Sequence, residues 1–148
     1  MSLFEQITED IKKAMLAREK AKLEALRAVK SALLIEKTKG VSSELTKEEE
    51  IKILQRLVKQ RRESADIYIQ QNRNELYEIE VFQADIIQVY LPKQMTDDEL
   101  TKEINEIILS VGASSIKDMG KIMGIASKKL SGQAEGKIIA EKVKALLS

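Results

Sequence analysis

The sequence predicts an all-α fold in two parts, on the strength of three observations. Apolar residues recur at spacings of three and four along most of the chain, which is the periodicity of amphipathic helices. Three segments place a Ser or Thr three residues before a Glu, ahead of such a periodic run, as a helix-starting capping box requires. The 148 residues include one Pro and six Gly, so few positions interrupt a helix.

Four helices are expected in the N-terminal part, at roughly residues 3–15, 20–38, 46–71 and 76–89. The first and third begin at capping pairs, which are Ser2 with Glu5 and Thr46 with Glu49. Gly40 follows the second helix as a candidate C-cap. The fourth must stop before Pro92, because the proline ring disfavours α geometry at the residue before it. Strands over residues 78–81 or 86–90 are an alternative, although neither segment alternates for long enough.

The pattern resets after Pro92, and three shorter helices with tight connections follow. The fifth helix begins at Thr96 and closes at Gly112, the sixth runs from after Ser115 to Leu130, and the seventh begins near Glu135. Helices of this length joined this closely are expected to form one compact three-helix unit. The predicted domains are therefore residues 1–92 and residues 93–148.

Composition excludes the commonest catalytic chemistries. The chain has no Cys, so thiolate nucleophiles and zinc sites built on sulfur are absent. It also has no His, so acid–base chemistry near neutral pH would need a carboxylate or amine with a strongly shifted pKa. Nothing in the sequence marks out such a group, and solvated helix faces explain the charges. We expect no catalytic residue, no cofactor and no metal, and a protein that works by binding a partner.

The chain shows no sequence signal for a membrane or a secretory route. No apolar run approaches the roughly 20 residues that a membrane span needs. The N-terminus lacks the basic segment and apolar core of a signal peptide. The expectation is a soluble cytoplasmic protein with no membrane partner.

The sixth helix contains two glycines, Gly120 and Gly124, that lie on one face. Each costs a helix about 1 kcal/mol relative to Ala, so some compensation is expected. Close approach of another backbone is the usual reason, and that backbone belongs either to a neighbouring helix or to a ligand phosphate.

The connection between the last two helices is the second candidate anion site. Gly132 can end the sixth helix in left-handed geometry, and the start of the seventh presents free N–H groups with Lys137 in its first turn. Residues 115–148 hold seven Lys/Arg against three Asp/Glu. The candidate nucleic-acid-binding residues are Gly120, Lys121, Gly124, Lys128, Lys129, Gly132 and Lys137. Such a junction is also an ordinary way to join two helices, and that alternative stays open.

Another basic cluster, formed by Arg56, Lys59, Arg61 and Arg62, lies on the third helix and is most simply a solvated face. Aromatic residues make up 3% of the chain, which argues against a platform on which single-stranded bases stack. Any nucleic-acid contact is therefore expected to be with shape and phosphate.

Several segments taken in order resemble the GatB/YqeY domain family, in its free-standing YqeY-like branch. They are Lys59 to Ser64, Tyr90 to Thr96, Gly120 to Gly124 and Gly132 to Lys137, with a further likeness at Arg27 to Lys30. The resemblance implies an N-terminal helical domain and a small orthogonal three-helix C-terminal domain. The latter is similar to the tail of the B subunit of glutamine-dependent tRNA amidotransferases, which contacts tRNA and is not catalytic.

Two positions depart from the family's pattern. Gln133 stands where the family often has Arg or Lys, which removes a cation, and Glu135 stands where it often has Asp, a better N-cap. The resemblance implies a non-catalytic tRNA-binding accessory module related to amidotransferase (carbon–nitrogen ligase) systems, with tRNA or an aminoacyl-tRNA processing complex as partner. The alternative is a helical protein–protein adaptor with no RNA role.

Overall fold

The structure, a computed structural model, describes residues 1–40 and 44–148. Most of these residues are helical and none forms a strand, so the all-α prediction is confirmed and the strand alternative for residues 78–81 and 86–90 is wrong. The helices of this part of the chain are α1 (Leu3–Leu16), α2 (Lys20–Lys39), α3 (Lys47–Gln70), α4 (Asn74–Gln88), α5 (Asp97–Val111), α6 (Met119–Lys129) and α7 (Gly136–Leu147), with a short 3-10 helix at Ile116–Asp118. The chain divides into two compact units, Met1–Leu91 and Pro92–Ser148.

Side-chain caps start α1 and α3 as expected. The Ser2 hydroxyl accepts from the Glu5 N–H at 3.1 Å, and the Glu5 carboxylate accepts from the Ser2 N–H at 3.2 Å. Thr46 and Glu49 make the same reciprocal pair, both backbone bonds being 3.2 Å long. Each box satisfies two N–H groups that a helix start leaves without partners.

The ends of α1 and α3 use the left-handed conformation without a glycine. Arg18 has φ 57° and Asn72 has φ 58°. The N–H of the residue after each donates back into the last turn of the helix. Glu19 donates to the Ala14 carbonyl at 3.0 Å, and Arg73 donates to the Tyr68 carbonyl at 2.9 Å. Both ends are Schellman turns, which satisfy two carbonyls each. Gly40 after α2 has φ −87°, so that glycine supplies no left-handed cap.

The core of the N-terminal unit is built around α2, which packs against α1, α3 and α4. Its centre includes Leu26 and Val29, whose side chains are fully buried. The helices α3 and α4 form a hairpin and make the most extensive contact in the unit.

Polar side chains also join the helices of this unit. The Arg61 Nε donates to the Gln83 carbonyl oxygen at 3.3 Å, and the Gln83 amide donates to the Glu24 carboxylate at 3.2 Å, which connects α3, α4 and α2. Beyond the end of α4, the Tyr90 hydroxyl donates to the Asp10 carboxylate on α1. The Gln83 side chain is buried, and leaving its amide oxygen and nitrogen without hydrogen bonds would destabilise the fold. Arg61 and Glu24 supply those bonds.

In the C-terminal unit α6 contacts both α5 and α7, and α5 also contacts α7. Each of the three helices contributes a fully buried side chain to one core, for example Ile104, Ile122 and Val143. Gly112 ends α5 with φ 68°, as predicted. In the described part of the chain, no helix is long and apolar enough to cross a membrane.

Candidate nucleic-acid interface

The helix α6 has one buried and one open side, and the open side carries most of the predicted site. Ile122 and Ala126, four residues apart, face the core. A shallow, widely open depression of about 660 Å³, called the groove below, lies along the other side. It is lined by Gly120, Lys121, Gly124, Ile125, Lys128 and Lys129. The structure therefore brings five of the seven predicted residues together, whereas Gly132 and Lys137 do not line the groove.

The two glycines of α6 face open space. A Cβ built on Gly120 or Gly124 would meet no atom within 4 Å. Within the C-terminal unit, the interpretation that they allow a neighbouring helix to approach is therefore wrong, because neither of the unit's other two helices comes near them. Their small size matters only to something that approaches α6 from outside.

The lysines around the groove differ in how free their charges are. Lys129 pairs with Glu103 of α5 at 3.2 Å, so its charge is partly neutralised. Lys121, Lys128 and Lys137 make no ion pair with any residue that the structure describes. Exposed pairs are weak, on the order of 0–1 kcal/mol, so Lys129 can still reach an anion at a small cost. Among the residues that the structure describes, Lys121 and Lys128 are the two groove cations without a competing partner.

The connection from α6 to α7 is a tight turn with an uncapped helix start. Gly132 has φ 79°, as the left-handed prediction requires, and the Gln133 N–H donates to the Leu130 carbonyl at 2.9 Å. Glu135 takes the N-cap position of α7 and makes no side-chain capping bond. The first N–H groups of α7 are thus without a side-chain cap, and Lys137 lies exposed beside them.

Sequence reasoning missed two residues near this surface. Ile125 places an aliphatic side chain, 37% exposed, between the lysines of the groove. Gln94 fixes the α6–α7 turn: its amide donates to the Gly132 carbonyl at 2.6 Å, and the Met95 N–H donates to the Gln133 carbonyl at 2.8 Å. The segments Tyr90–Thr96 and Gly132–Lys137, which both carry the family resemblance, therefore touch each other.

The basic cluster on α3 is mostly engaged within its own unit. Arg61 bonds to Gln83, and Arg62 pairs with Asp85 of α4 at 2.8 Å. Lys59 lies 4.0 Å from the Glu63 carboxylate. These contacts favour a structural role over an anion site. No group of three or more His, Cys, Asp or Glu in the described ranges is placed to hold a metal ion.

Comparison with known proteins identifies the family. The sequence matches the family model described as Yqey-like protein over residues 4–147. It is also 29% identical over 115 residues to a protein of Clavispora lusitaniae (strain ATCC 42720) named "Altered inheritance of mitochondria protein 41, mitochondrial". That match covers 76% of this chain and 66% of the relative, just under two thirds of its length. The relative's name places it in mitochondria, so the cytoplasmic location of this chain stays a prediction. Because the family match spans nearly the whole sequence, the chain belongs to the YqeY-like family of GatB/YqeY domain proteins.

Proposed function

We propose that the C-terminal unit binds structured RNA, tRNA above all, through the groove of α6, and that the protein is a non-catalytic accessory module related to tRNA-dependent amidotransferase systems. The observation that carries the proposal is the pair of outward-facing glycines set among lysines. Two glycines on the open side of one helix destabilise it without any gain in packing. Binding of a ribose–phosphate backbone against α6 would offset this loss of helix stability, because the missing Cβ atoms let the backbone come close.

Three further observations support the proposal, and the first two favour a contact with phosphates rather than bases. Residues 92–148 contain no Phe, Tyr or Trp, so the unit has no side chain on which a base could stack. Lys121 and Lys128 have no ion-pair partner in the described residues and lie in one groove. The family relation to the amidotransferase B subunit points to tRNA as the RNA.

The proposal is tested by measuring tRNA affinity against salt concentration. We compare wild type with Lys121→Glu/Lys128→Glu and with Lys52→Glu/Lys144→Glu, a control with the same change in net charge on exposed lysines outside the groove. Each neutralised phosphate contributes about 0.9 to the slope of log affinity against log salt. The groove variant should lose about two units of slope and bind at least about tenfold more weakly at low salt.

The control separates local contact from general charge. If both double variants weaken binding equally, the effect is long-range and the groove is not the site. If wild-type protein does not bind tRNA at low salt, the RNA proposal fails, and the alternative of a protein–protein adaptor without an RNA role becomes the better one. Ammonia release from glutamine by the purified chain, lost on substitution of one of its own residues, would contradict the non-catalytic part of the proposal.

A further inference from the structure

The outer face of α4, in the N-terminal unit, exposes a row of large apolar side chains. Ile79 and Phe82 are each 45% exposed, and Val89 just beyond the helix is 78% exposed. Ile86 lies between them, partly buried against the core. Single exposed apolar residues are ordinary, but a row of them on one face is a common mark of an interaction surface.

The spacing of this row is that of a helix-pairing seam. Residues 79, 82, 86 and 89 are separated by three, four and three positions, as the a and d positions of paired helices are. From residue 79 to residue 89, ten steps of helix, the row is about 15 Å long, equivalent to roughly three turns of a second helix. The opposite side of α4 is already occupied, because Gln83, Ala84 and Ile87 are buried against the rest of the unit.

Phe82 differs in its surroundings from the other phenylalanine of the chain. Phe4 has the ammonium groups of Lys37 and Lys30 over its ring at 4.3 and 5.4 Å. No cation in the described part of the chain lies over Phe82 in this way. Its ring is therefore the large apolar anchor that the row offers to a partner.

Charge indicates what kind of helix would fit. Residues 74–91 contain four Asp/Glu and no Lys or Arg. Asp85 pairs with Arg62, and the other three, Glu75, Glu78 and the half-buried Glu80, make no ion pair among the described residues. Glu75 at the start of the row and Glu78 beside it are the two that are exposed. A two-fold pairing with a second copy would place α4 against α4, which has no cation to offer. A partner helix with basic flanks would pair with both carboxylates.

We infer that the row formed by Ile79, Phe82, Ile86 and Val89 is a docking surface for one amphipathic helix of a partner protein, with aliphatic residues at its seam and Lys or Arg beside them. Phe82 and Val89 supply the apolar contact, and Glu75 and Glu78 select the charge. The surface belongs to the N-terminal unit and uses none of the groove residues, so it is a second activity alongside the proposed RNA contact.

The test uses two synthetic helical peptides of about 21 residues, three heptads each, with Leu at the a and d positions. One peptide carries Lys at the flanking positions and the other carries Glu. Binding is measured by calorimetry to wild type, to Phe82→Ser/Val89→Ser, and to the control Leu109→Ser, which removes a side chain that is 80% exposed in the other unit. Sedimentation of the chain alone reports self-association.

The inference requires the Lys-flanked peptide to bind with a stoichiometry of one peptide per chain. The affinity for the Glu-flanked peptide should be at least about tenfold lower. The Phe82→Ser/Val89→Ser change should weaken the Lys-flanked peptide about tenfold or more, as loss of a central anchor does, while Leu109→Ser should have no effect. The groove variant Lys121→Glu/Lys128→Glu should bind the peptide like wild type, which separates this surface from the RNA proposal.

Four outcomes overturn the inference, and three of them concern the peptides. They are no binding of the Lys-flanked peptide by wild type, equal binding of the two peptides, and binding that the Phe82→Ser/Val89→Ser change leaves unaltered. A dimer of the wild-type chain that the same change dissociates would also overturn it, since the occupant would then be a second copy.

Discussion

Replacing Gly120 and Gly124 with Ala should make the C-terminal unit more stable and its RNA binding weaker. Gly124 is in the middle of α6, where a change from Gly to Ala is worth about 1 kcal/mol, and Gly120 is in the first turn, where we expect about half as much. The new methyl groups meet nothing within 4 Å, so no strain offsets the gain. The double variant should therefore be about 1.5 kcal/mol more stable.

Hydrogen exchange measures this gain in the C-terminal unit by itself. An increase of about 1.5 kcal/mol raises the protection factors of the slowest α6 and α7 amides by roughly tenfold. The same two methyl groups stand in the groove, so tRNA affinity at low salt should fall several-fold. The control is Ser127→Ala, which improves helix propensity at an exposed position of α6 outside the groove and should leave tRNA affinity unchanged.

The critical result is that the same double substitution raises the stability of the C-terminal unit and lowers its affinity for tRNA. Lower protection in the double variant would show that a neighbour packs on these glycines, contrary to the geometry. Higher protection with unchanged tRNA affinity would show that the RNA backbone does not approach α6, and would remove the main support of the proposed function.

Three further substitutions test the described contacts. Glu135→Asp should stabilise α7 by about 0.5–1 kcal/mol in urea unfolding, because Glu135 has the extended backbone of an N-cap but makes no capping bond. Gln83→Ala should destabilise the N-terminal unit by about 1–3 kcal/mol, because Arg61 and Glu24 both lose their partner there. Burial and the bond to Asp10 raise the pKa of the Tyr90 phenol above its ordinary value near 10. The folded state therefore keeps this proton where the unfolded chain loses it, so stability should fall as the pH rises above about 10, and Tyr90→Phe should remove that part of the fall.

Matched controls keep these results specific. Glu141→Asp, at an exposed position inside α7, should bring no gain in stability, because an Asp there has no helix start to cap. Gln88→Ala changes the same residue type five residues beyond Gln83 on the same helix and should cost less than Gln83→Ala. A steeper loss of stability at high pH in Tyr90→Phe than in wild type would contradict the pKa argument.

The sequence predicted those helix starts and ends that depend on contacts between residues a few positions apart. The capping pairs at Ser2 and Thr46 formed as expected, because the hydroxyl and the carboxylate each accept from a backbone N–H that only a helix start leaves without a partner. Gly112 took the left-handed conformation that ends α5. Arg18 and Asn72 took the same conformation without being predicted, because the bonds that hold them there form only once the chain has turned.

Long-range contacts could not be predicted in the same way. The glycines of α6 were found from their spacing, which places them on one helix face, and its lysines were found from the basic excess of residues 115–148. The bonds from Gln83 to Glu24 and from Gln94 to Gly132 join positions 59 and 38 residues apart. No periodicity connects such positions, so only the packed structure shows that both glutamines are structural. The same holds for Lys129, whose partner Glu103 lies on another helix.

The bonds from Gln94 and Met95 to the α6–α7 turn have a practical consequence for anyone who expresses the C-terminal unit as a separate fragment. A fragment that begins at the first residue of α5, Asp97, would keep all three helices. It would lose Gln94 and Met95, which bond to the carbonyls of Gly132 and Gln133. The turn before α7 would then lose two hydrogen bonds, next to the helix start that already lacks a side-chain cap. A fragment intended for binding studies should therefore begin at or before Pro92.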